Sequence, residues 1–428
     1  MTEQQGPARG PASVGKAAFF SEKQFQCGAS IAALRVAVEM SRRGLDVDYH
    51  FQEASKSPYL RDLYPSVRFN RLTALHSEYA QEAYEEAKAF GPHIAKAAGV
   101  RLFEQNLRMT LKAGDVDVAH IHNYSGSRET ITSIAESKPL IWTMHDTSPV
   151  TGYHYRTYDL NEEPLEYRAK TAPASEAFWA SLKNKPFCLT APSEWLAGYA
   201  RASVPDHIRV RMIPNMLMSN TFYPMNKSLA RALVGLPEDG LFILFFAGKG
   251  AWQRKNFEII ARAFAKAPDL PINIVVVGGV ADGRLVRDGR MMFRQGYDPA
   301  VDAAKIVALY NAVDAFCISS LIDNLPNTVL EAISCGRPVI GANVGGVPDM
   351  VEDGVNGWLF DPRDVSSAVS ALRRFHQDAG RLDEMGAASL RIAKARYSRE
   401  VVADAFLDLY TELRQSYLGA QSKMALSA

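Results

Sequence analysis

The sequence contains little cysteine, no long apolar run and no excess of charge of one sign. Its 428 residues include only four cysteines, Cys27, Cys188, Cys317 and Cys335, and no two of them have the C-x-x-C spacing of a zinc ribbon or a redox pair. No apolar run reaches the ~18–20 residues that a membrane-spanning helix needs. We therefore expect four buried thiols in a reducing compartment, the cytoplasm.

The balance of charge argues against a broad nucleic-acid-binding surface. Lys and Arg together number 48 and Asp and Glu number 47, so the formal net charge is +1. Because nucleic-acid-binding domains are usually strongly basic, we expect no nucleic-acid partner. The first 13 residues are polar, contain Pro and Gly and lack the apolar core of a secretory signal, so they are interpreted as a flexible N-terminal tail.

Short apolar runs alternate with longer helical patterns along the chain, which is typical of βαβ units and parallel sheets. The runs Leu241–Ala247 and Ile272–Val277 are apolar throughout, as expected for parallel strands buried on both faces. Between two such patterns, the segment 214–230 has two prolines and no periodicity. We predict an α/β protein with two Rossmann-like, doubly wound domains that face each other across a cleft.

The predicted boundaries follow from the same alternation. The domains are 14–220 and 221–397, followed by a C-terminal helix and tail over 398–428. The predicted strands are 14–20, 45–51, 116–121, 139–143, 187–191, 208–213, 241–247, 272–277, 315–318 and 338–340. The predicted helices are 29–43, 76–113 with a break at Gly91-Pro92, 255–267, 301–312, 326–335, 366–378 and 398–417.

The most informative segment is 314–361, in which two carboxylates flank a helix start. Asp323 precedes the sequence NLPN at 324–327, where Pro suits the first turn of a helix, and Glu331 follows eight residues after Asp323. The amide groups and positive dipole end of a helix start suit an anion such as a diphosphate. Each carboxylate can accept hydrogen bonds from sugar hydroxyls. The alternative is a capping Asp and a solvent-facing Glu.

A second candidate follows a buried apolar run, at 246–257. Gly248 lets the backbone approach a ligand closely, and Lys249 and Lys255 lie six residues apart on either side of a loop. Two cations so placed can clamp a diphosphate and neutralise the charge that develops as a sugar leaves. Arg254 can supply a guanidinium to the same group. The alternative is a solvated basic turn.

Two weaker candidates lie in the first domain. The small residues Gly28 and Ala29 open the first long helix, where backbone N–H groups can approach a phosphate, and a plain helix start is the alternative. His145 follows a strand, at the carboxyl end where α/β sheets bind ligands. It can donate a hydrogen bond to a sugar hydroxyl or a phosphate, and a structural histidine at the strand end is the alternative. His154 is interpreted as a loop-packing residue.

Two apparent metal signals are interpreted as structural. Asp115 and Asp117 mimic a metal-binding D-x-D pair, but they immediately precede an apolar strand and are interpreted as its start. His120 and His122 alternate along that strand, and no third ligand with metal spacing is near them. We therefore expect no bound metal.

The segment 314–361 closely resembles the C-terminal domain of the retaining glycosyltransferases of family four, which have the GT-B fold. The residues that carry the resemblance are Asp323, Glu331, Ala332, Gly336, Pro338, Val339, the run Gly345 to Asp349, and Asp353, Gly354, Asn356 and Gly357. The motif residues 323–327 are most similar to those of family members that build bacterial surface polysaccharides of the colanic acid or exopolysaccharide type. Five positions depart from the family pattern. Asp323 and Asp349 replace Glu, Lys249 replaces Arg, and Cys27 and Met216 replace Gly.

The resemblance implies a retaining enzyme that moves a hexose-type sugar from a UDP- or GDP-linked donor to a hydroxyl acceptor. The acceptor is a sugar or a lipid-linked sugar, and the implied pathway is surface polysaccharide or glycoconjugate biosynthesis. No cofactor besides the donor substrate is implied, and no metal. The resemblance also places the acceptor on the first domain, the donor on the second, and the C-terminal helix back across the first.

Roles for individual residues are likewise implied by position. Catalytic roles fall on His145, Lys255, Asp323 and Glu331. Donor-binding roles fall on Gly28, Ala29, Gly248, Lys249, Arg254, Lys255, Asn324, Leu325, Pro326, Asn327, Thr328 and Glu331.

Other functions stay open at this point. A nucleotide-sugar epimerase of the GT-B fold and a non-catalytic GT-B-like binding subunit would share these motifs. A peripheral membrane contact at the inner leaflet is a further alternative, because basic and apolar residues mix in 88–112. They are Lys88, Lys96, Arg101, Arg108 and Lys112 with Phe90, Leu102, Phe103 and Leu107. An ordinary amphipathic helix gives the same pattern, and the oligomeric state is open.

Overall fold

The chain forms two compact units. The computed structural model describes residues 14–23, 28–53, 64–72, 103–122, 124, 126–151, 175–217, 221–247, 252–278, 290–294, 296 and 302–427. The first unit holds the described residues up to Pro192, then Ala197–Ile213 and the chain from Ala403 onward. The second unit holds Ser193–Leu196 and Pro214–Val402. The predicted tail over 1–13 lies outside the described residues.

The first unit is built on a sheet of seven parallel strands in the order β3-β2-β1-β4-β5-β6-β7. The strands are β1 (Lys16–Lys23), β2 (Asp46–Glu53), β3 (Val67–Arg71), β4 (Val118–His122), β5 (Leu140–Thr143), β6 (Phe187–Ala191) and β7 (Val210–Met212). The strand order reverses between β1 and β4, which pair in parallel with Ser21 opposite His122. Parallel α/β sheets bind ligands beyond the carboxyl ends of their strands at such a switch point.

Helices connect these strands. They are Gly28–Arg42, 103–111, Arg128–Ala135, Ser148–Thr151, 175–181 and Glu194–Ser203. In the first of them, Leu34 and Val38 are buried. Gly44 follows this helix with a φ of 86°, a left-handed conformation that glycine adopts without strain and that commonly closes a helix.

The last helix, Arg399–Ser427, belongs to the first unit from Ala403 onward. Its Phe406 and Tyr410 are buried, with the Phe406 ring 5.1 Å from the ring of His120 on β4. The Tyr410 hydroxyl lies 2.7 Å from Nδ1 of the same histidine. The helix therefore completes the core on one face of the first sheet.

Two polar contacts hold the same helix farther along. Arg414 pairs with Asp117 at 2.8 Å, and the Tyr417 hydroxyl donates to the carbonyl of Ser137 at 2.6 Å. The helix continues to Ser427, so the predicted end at 417 is wrong. The added residues include Ala, Gln, Lys, Met and Leu, which favour helix.

The second unit is built on six parallel strands in the order β10-β9-β8-β11-β12-β13. The strands are β8 (Leu241–Phe246), β9 (Ile272–Val277), β10 (Met291–Arg294), β11 (Ala315–Ile318), β12 (Val339–Ala342) and β13 (Gly357–Phe360). The helices are Lys227–Val234, Trp252–Lys255, Phe257–Lys266, Ala303–Ala312, Asn327–Ser334, Val365–Gln377 and Leu382–Tyr397. Here the strand order reverses between β8 and β11.

Alternate residues of these strands enter two separate cores on opposite faces of the second sheet. Along β8, Phe242 and Leu244 pack with Tyr310 in one core, whereas Ile243 and Phe245 join the other core. The strands are therefore covered on both faces, as continuous apolar runs predict. The predicted class of two doubly wound, Rossmann-like domains is confirmed.

Predicted and observed boundaries differ most where the chain is polar or turns sharply. Prediction missed β3, β10 and β13, which are three of the four edge strands, and edge strands tolerate polar residues and short lengths. The first strand lies at Lys16–Lys23 and not at 14–20. The predicted helix over 255–267 is interrupted at Asn256, whose φ of 50° is left-handed.

Three of the four cysteines fall in the described residues. Cys188, Cys317 and Cys335 are buried free thiols, as predicted, and burial raises the pKa of Cys188 and of Cys335 to about 12. Cys27 lies outside the described residues. Within the described ranges, we find no helix whose length and apolar character would let it cross a bilayer.

A buried ion pair anchors the amino-terminal side of the second sheet. Asp314, 3% exposed, accepts from Arg231 at 2.9 Å, from the backbone N–H of Phe242 at 2.9 Å and from Lys227 at 2.8 Å. Arg231 also donates to the carbonyls of Ala312 and Gly240 and stacks 4.8 Å from the Phe242 ring. The pair thus ties the Lys227–Val234 helix to β8 and β11.

We expect Asp314→Asn to lower the free energy of unfolding by about 3–5 kcal/mol, because it leaves the buried Arg231 without a counter-charge. The matched control is Asp269→Asn, which breaks the exposed pair of Asp269 with Arg373 and should change the free energy of unfolding little, because exposed ion pairs contribute little to stability. Urea unfolding of the three proteins measures both. Equal effects of the two substitutions would contradict this account of the buried pair.

His50 gives the first unit a pH-dependent stability. It lies on β2, 5% exposed, with a buried Nδ1 that has no partner among the described residues. Burial lowers its pKa to about 4 from an ordinary 6.5. Between pH 6.5 and about pH 4, His50 is therefore protonated in the unfolded chain but neutral in the folded chain. The free energy of unfolding decreases as the pH falls through this window.

We expect His50→Asn to remove this titration. Its unfolding free energy, measured against that of the wild type, should improve by roughly 3 kcal/mol between pH 7 and pH 4. Urea unfolding of both proteins at the two pH values gives the difference. A difference that is independent of pH would show that His50 does not titrate in this way.

Candidate functional site

In the second unit, the candidate residues gather beyond the carboxyl ends of β8, β11 and β12, next to the switch point between β8 and β11. The chain leaving β8 reaches the short helix Trp252–Lys255, and the chain leaving β11 forms the loop before Asn327. Since neighbouring parallel strands end at the same edge of a sheet, the topology brings these loops together.

Asp323 and Lys255 form an ion pair at the centre of this edge. Nζ of Lys255 lies 2.7 Å from Oδ2 of Asp323, and both side chains are largely buried, at 17% and 16% exposure. Nη1 of Arg254 lies 3.5 Å from the same oxygen, and the Ser320 hydroxyl donates to it at 3.0 Å. Burial opposes the charge on Asp323, but Lys255 and Arg254 more than offset it and lower the pKa of Asp323 below its usual value. The carboxylate is therefore ionised at neutral pH.

These donors share one oxygen of Asp323. Lys255, Arg254 and Ser320 all contact Oδ2. Among the described residues, no hydrogen bond or ion pair to Oδ1 is found. The carboxylate is thus fixed through one of its two oxygens.

Backbone contacts hold the two loops around this pair. The Ser319 hydroxyl donates to the carbonyls of Lys255 and Asn256, at 2.8 and 3.0 Å. The backbone N–H of Leu321 donates to the carbonyl of Arg254 at 3.0 Å. Asn256 interrupts the helix with a left-handed φ of 50°. Lys255 is therefore the last residue of one short helix and does not belong to the next.

Two glycines let a third loop, after β12, approach the same place. The N–H of Gly346 donates to the carbonyl of Asp323 at 3.1 Å. A Cβ on Gly346 would lie 1.9 Å from the carbonyl oxygen of Asn324, and one on Gly345 would lie 1.8 Å from that of Asp323. No other residue type fits there, which explains physically why the sequence has Gly-Gly at this point.

The helix predicted to face an anion begins at Asn327. Pro326 is its N-cap, with an extended ψ of 119°, so the predicted start at 326 is one residue early. The Pro326 carbonyl accepts from the N–H groups of Val329 and Leu330. Asn324, Leu325 and Pro326 are buried in the loop, and Asn327 and Thr328 are half-buried in the first turn.

Glu331 lies one turn into this helix and is held by a residue that the sequence did not reveal. The hydroxyl of Tyr310 lies 3.1 Å from Oε2 of Glu331 and 3.1 Å from the carbonyl of Thr328. Tyr310 is fully buried on the Ala303–Ala312 helix. An aromatic residue on a buried helix face gives no sequence signal that separates this contact from ordinary core packing.

In the first unit, Gly28 and Ala29 begin the Gly28–Arg42 helix, as predicted, and Gly28 is exposed. His145 lies two residues beyond β5, and Nε2 of His145 is 3.0 Å from Nδ1 of His122. Burial lowers the pKa of His145 to about 4. His145 is therefore a neutral imidazole at physiological pH.

Sequence reasoning missed the polar chain within this sheet. Nδ1 of His120 contacts the Tyr410 hydroxyl and Nε2 contacts Oγ1 of Thr143, each at 2.7 Å. Thr143 in turn lies 2.6 Å from Oγ1 of Thr190. The signal was present as two histidines at alternate positions of β4, which place both side chains on one face.

The carboxylates of the D-x-D mimic are used at the opposite end of the first sheet. Asp117 accepts from the backbone N–H groups of Gly15 and Lys16 at 2.7 and 3.0 Å, and Asp115 pairs with the Lys16 side chain. Both lie at the amino ends of β1 and β4, as a strand start predicts. In the portion of the chain that the structure describes, no group of three or more His, Cys, Asp or Glu could hold a metal ion.

Other predicted features lie wholly or partly outside the described residues. Gly248, Lys249 and His154 are outside them, as is the basic and apolar stretch up to residue 102. Where that stretch is described, Phe103 and Leu107 are buried in the first unit, at 6% and 0% exposure. These two side chains belong to the core, as in an ordinary amphipathic helix.

Two family models match the chain. One, described as Glycosyltransferase Family 4, matches residues 27–217. The other, described as Glycosyl transferases group 1, matches residues 242–378. The first match spans strands β2 to β7, and the second spans β8, from its second residue, to β13.

Curated relatives include two D-inositol 3-phosphate glycosyltransferases. That of Xylanimonas cellulosilytica is 27% identical over 405 residues, which cover 90% of this chain and 91% of the relative. That of Mycolicibacterium smegmatis is 25% identical over 404 residues, which cover 91% of this chain and 87% of the relative. The similarity extends over both units.

Similar solved structures share the fold at lower identity. Sucrose-phosphate synthase from Thermosynechococcus elongatus has a TM-score of 0.71 at 20% identity and covers 93% of this chain and 99% of its own. Anabaena HepE in complex with UDP and glucose has a TM-score of 0.67 at 16% identity, with 92% and 98% covered. With two parallel-sheet Rossmann-like units and the domains of these two families, the chain is a glycosyltransferase of the GT-B type.

Proposed function

We propose that this glycosyltransferase moves a hexose-type sugar from a UDP-linked donor to a hydroxyl acceptor with retention of anomeric configuration. The observation that carries the proposal is the pair of Lys255 and Asp323 beside the Asn327 helix start, at the carboxyl edge of the second sheet. This edge combines a cation and helix amides for a diphosphate with carboxylates for a sugar. GDP is the second donor base to be tested.

Lys255 is suited to the diphosphate because its ammonium is partly desolvated and already fixed. Its Nζ lies on Asp323 and its backbone carbonyl is held by Ser319. A preorganised cation in a water-poor site stabilises charge that develops on a leaving group without reorganising first. The amide groups at the start of the Asn327–Ser334 helix act in the same sense on a nearby phosphate.

The two carboxylates are suited to hydroxyl groups of the donor. Three donors hold Oδ2 of Asp323, whereas Oδ1 accepts no hydrogen bond from the described residues and can accept one from the donor sugar. Glu331 lies a turn farther along the helix, oriented by Tyr310. An ionised carboxylate forms stronger hydrogen bonds to hydroxyl donors than a neutral acceptor does. We assign Asp323 to the sugar and Glu331 to the ribose.

In the proposed reaction, the departing diphosphate also acts as the base that takes the acceptor proton. The bond between the anomeric carbon and the distal phosphate oxygen breaks, and negative charge builds on the departing UDP. The acceptor oxygen bonds to the same face of the sugar, and its proton passes to the departing phosphate oxygen. Lys255 and the helix amides stabilise that charge, and no separate protein base is required.

The relatives guide the choice of substrates to test. The matching Anabaena structures contain UDP, with glucose or as UDP-glucose, which supports a UDP-linked donor. The curated relatives are named for D-inositol 3-phosphate, so a phosphorylated polyol joins sugar and lipid-linked sugar acceptors as a candidate. Surface polysaccharide or glycoconjugate biosynthesis is the proposed pathway, and the cytoplasm, with or without peripheral membrane contact, the proposed location.

We expect UDP to raise the melting temperature more than GDP or ADP does. A ligand at 100 times its dissociation constant adds about 2.7 kcal/mol to stability, and Lys255→Ala should lose most of this gain because the diphosphate loses its cation. Differential scanning fluorimetry across the three nucleotides measures both effects. A UDP shift that survives Lys255→Ala would contradict the assignment of Lys255 to the diphosphate.

We expect Lys255→Ala and Glu331→Ala each to reduce the transfer rate on the order of 10²-fold or more, comparable to the loss of one preorganised donor at a developing charge. The matched control is Asp115→Ala, which removes an exposed carboxylate at the opposite end of the first sheet and should leave the rate unchanged. Rates of UDP release from UDP-hexoses with each acceptor class give the comparison.

Two outcomes would overturn the assignment. Steady conversion of the donor to an epimer without any acceptor would identify an epimerase of the same fold. A large effect of Asp115→Ala that depends on added Mn²⁺ would identify a metal-dependent reaction. Product analysis by NMR of the new anomeric centre separates retention from inversion.

A further inference from the structure

His122 and His145 form a buried imidazole pair at the carboxyl edge of the first sheet. Nδ1 of His122 lies 3.0 Å from Nε2 of His145, and the two rings stack at 29° with centroids 5.3 Å apart. His122 ends β4 and stands opposite Thr143 of β5, so the pairing of these strands brings the two rings together. His122 is 1% exposed, and its other nitrogen, Nε2, has no partner in the described part of the chain.

The pair holds no net charge at neutral pH. Burial lowers the pKa of His145 to about 4, and burial with the neighbouring His120 and His145 holds the pKa of His122 well below its usual value. Each neutral ring carries one N–H, and only one proton can lie between two facing nitrogens. Two arrangements satisfy this contact.

In one arrangement, His145 donates from Nε2, and His122 must then carry its own proton on the buried Nε2. That N–H would have no acceptor among the described residues. In the other arrangement, His122 donates from Nδ1, and its buried Nε2 is a bare nitrogen lone pair. Buried N–H groups without acceptors are rarer in folded proteins than under-used acceptors, and burying an N–H group without a partner is unfavourable. The second arrangement is therefore favoured.

The surroundings keep the His122 ring in place. His120 lies on the same face of β4, with its ring centroid 4.1 Å from that of His122. Both of its nitrogens are engaged by hydroxyl groups, of Tyr410 and of Thr143. His120 therefore cannot turn towards His122 without breaking a contact, and Thr143 fixes the end of the strand that leads to His145.

We infer that His122 is a positioning residue that fixes the tautomer of His145, donating from its Nδ1 to Nε2 of His145 so that His145 carries its proton on Nδ1. The inference rests on the proposed function for its catalytic meaning. His145 is then a hydrogen-bond donor and not a base, so a group that it recognises must offer an oxygen lone pair, as an acceptor hydroxyl does. This agrees with a reaction in which the departing phosphate takes the acceptor proton.

The tautomer can be read directly by NMR of the full chain with ¹⁵N-labelled histidine rings and no ligand. The His145 signals are assigned by their loss in His145→Gln. We expect a protonated Nδ1 and a bare Nε2 for His145 in the wild type. Since an asparagine amide N–H can take the place of the imidazole Nδ1–H, His122→Asn should keep this pattern, and His122→Leu should give a mixture of both tautomers.

Kinetics provide the second reading. We expect His122→Leu to lower kcat on the order of 10-fold or more, as loss of an orienting partner does, and His122→Asn to restore most of it. The matched control is His50→Asn, which replaces another buried strand histidine of the same sheet, on β2, which β1 separates from β4. It should leave both the His145 tautomer and kcat unchanged.

The outcomes separate the inference from the proposed function. His145 protonated on Nε2 in the wild type, or a tautomer unaffected by His122→Leu, would overturn the inference whatever the activity. The expected tautomers in a protein that transfers no sugar would support the His122 assignment and overturn the proposed function. A His122→Asn variant as impaired as His122→Leu, with its melting temperature unchanged, would overturn the donor role of Nδ1.

Discussion

The ion pair between Lys255 and Asp323 is the interaction on which the second unit's site depends. It joins two loops that leave adjacent strands at the point where the strand order reverses. Each loop supplies one charge, and neither charge would be tolerated in a largely buried position without the other. The hydroxyl and amide contacts of Ser319 and Leu321 hold the backbones close enough for the pair to form.

The same pair gives the two groups different chemical tasks. Lys255 lowers the pKa of Asp323 and keeps it ionised, so the carboxylate can accept from hydroxyls. Asp323 keeps Lys255 in place in the absence of a phosphate. The first unit contains no such charged pair among His120, His122 and His145. These neutral histidines are held by hydrogen bonds whose direction is set by their neighbours.

Much of the fold could be predicted from the sequence, because buried parallel strands have continuous apolar sequences. Strands β9 and β11 were predicted at their observed bounds, and the missed strands are edges, which have fewer apolar neighbours to satisfy. In the site, motif spacing singled out Asp323, Glu331, Lys255 and His145, and their roles stay predictions. Tyr310 and His122 could not be found this way. Their contacts arise from helix packing and from the pairing of β4 with β5, which join residues distant in sequence.

The most direct measurement is a crystal structure of the full chain soaked with a UDP-hexose in excess. The account predicts the diphosphate within hydrogen-bond distance of Lys255 Nζ and the start of the Asn327–Ser334 helix, and a sugar hydroxyl on Oδ1 of Asp323. Two results would contradict the account: a nucleotide bound elsewhere, or no ligand at the carboxyl edge of the second sheet with the Lys255–Asp323 pair unchanged.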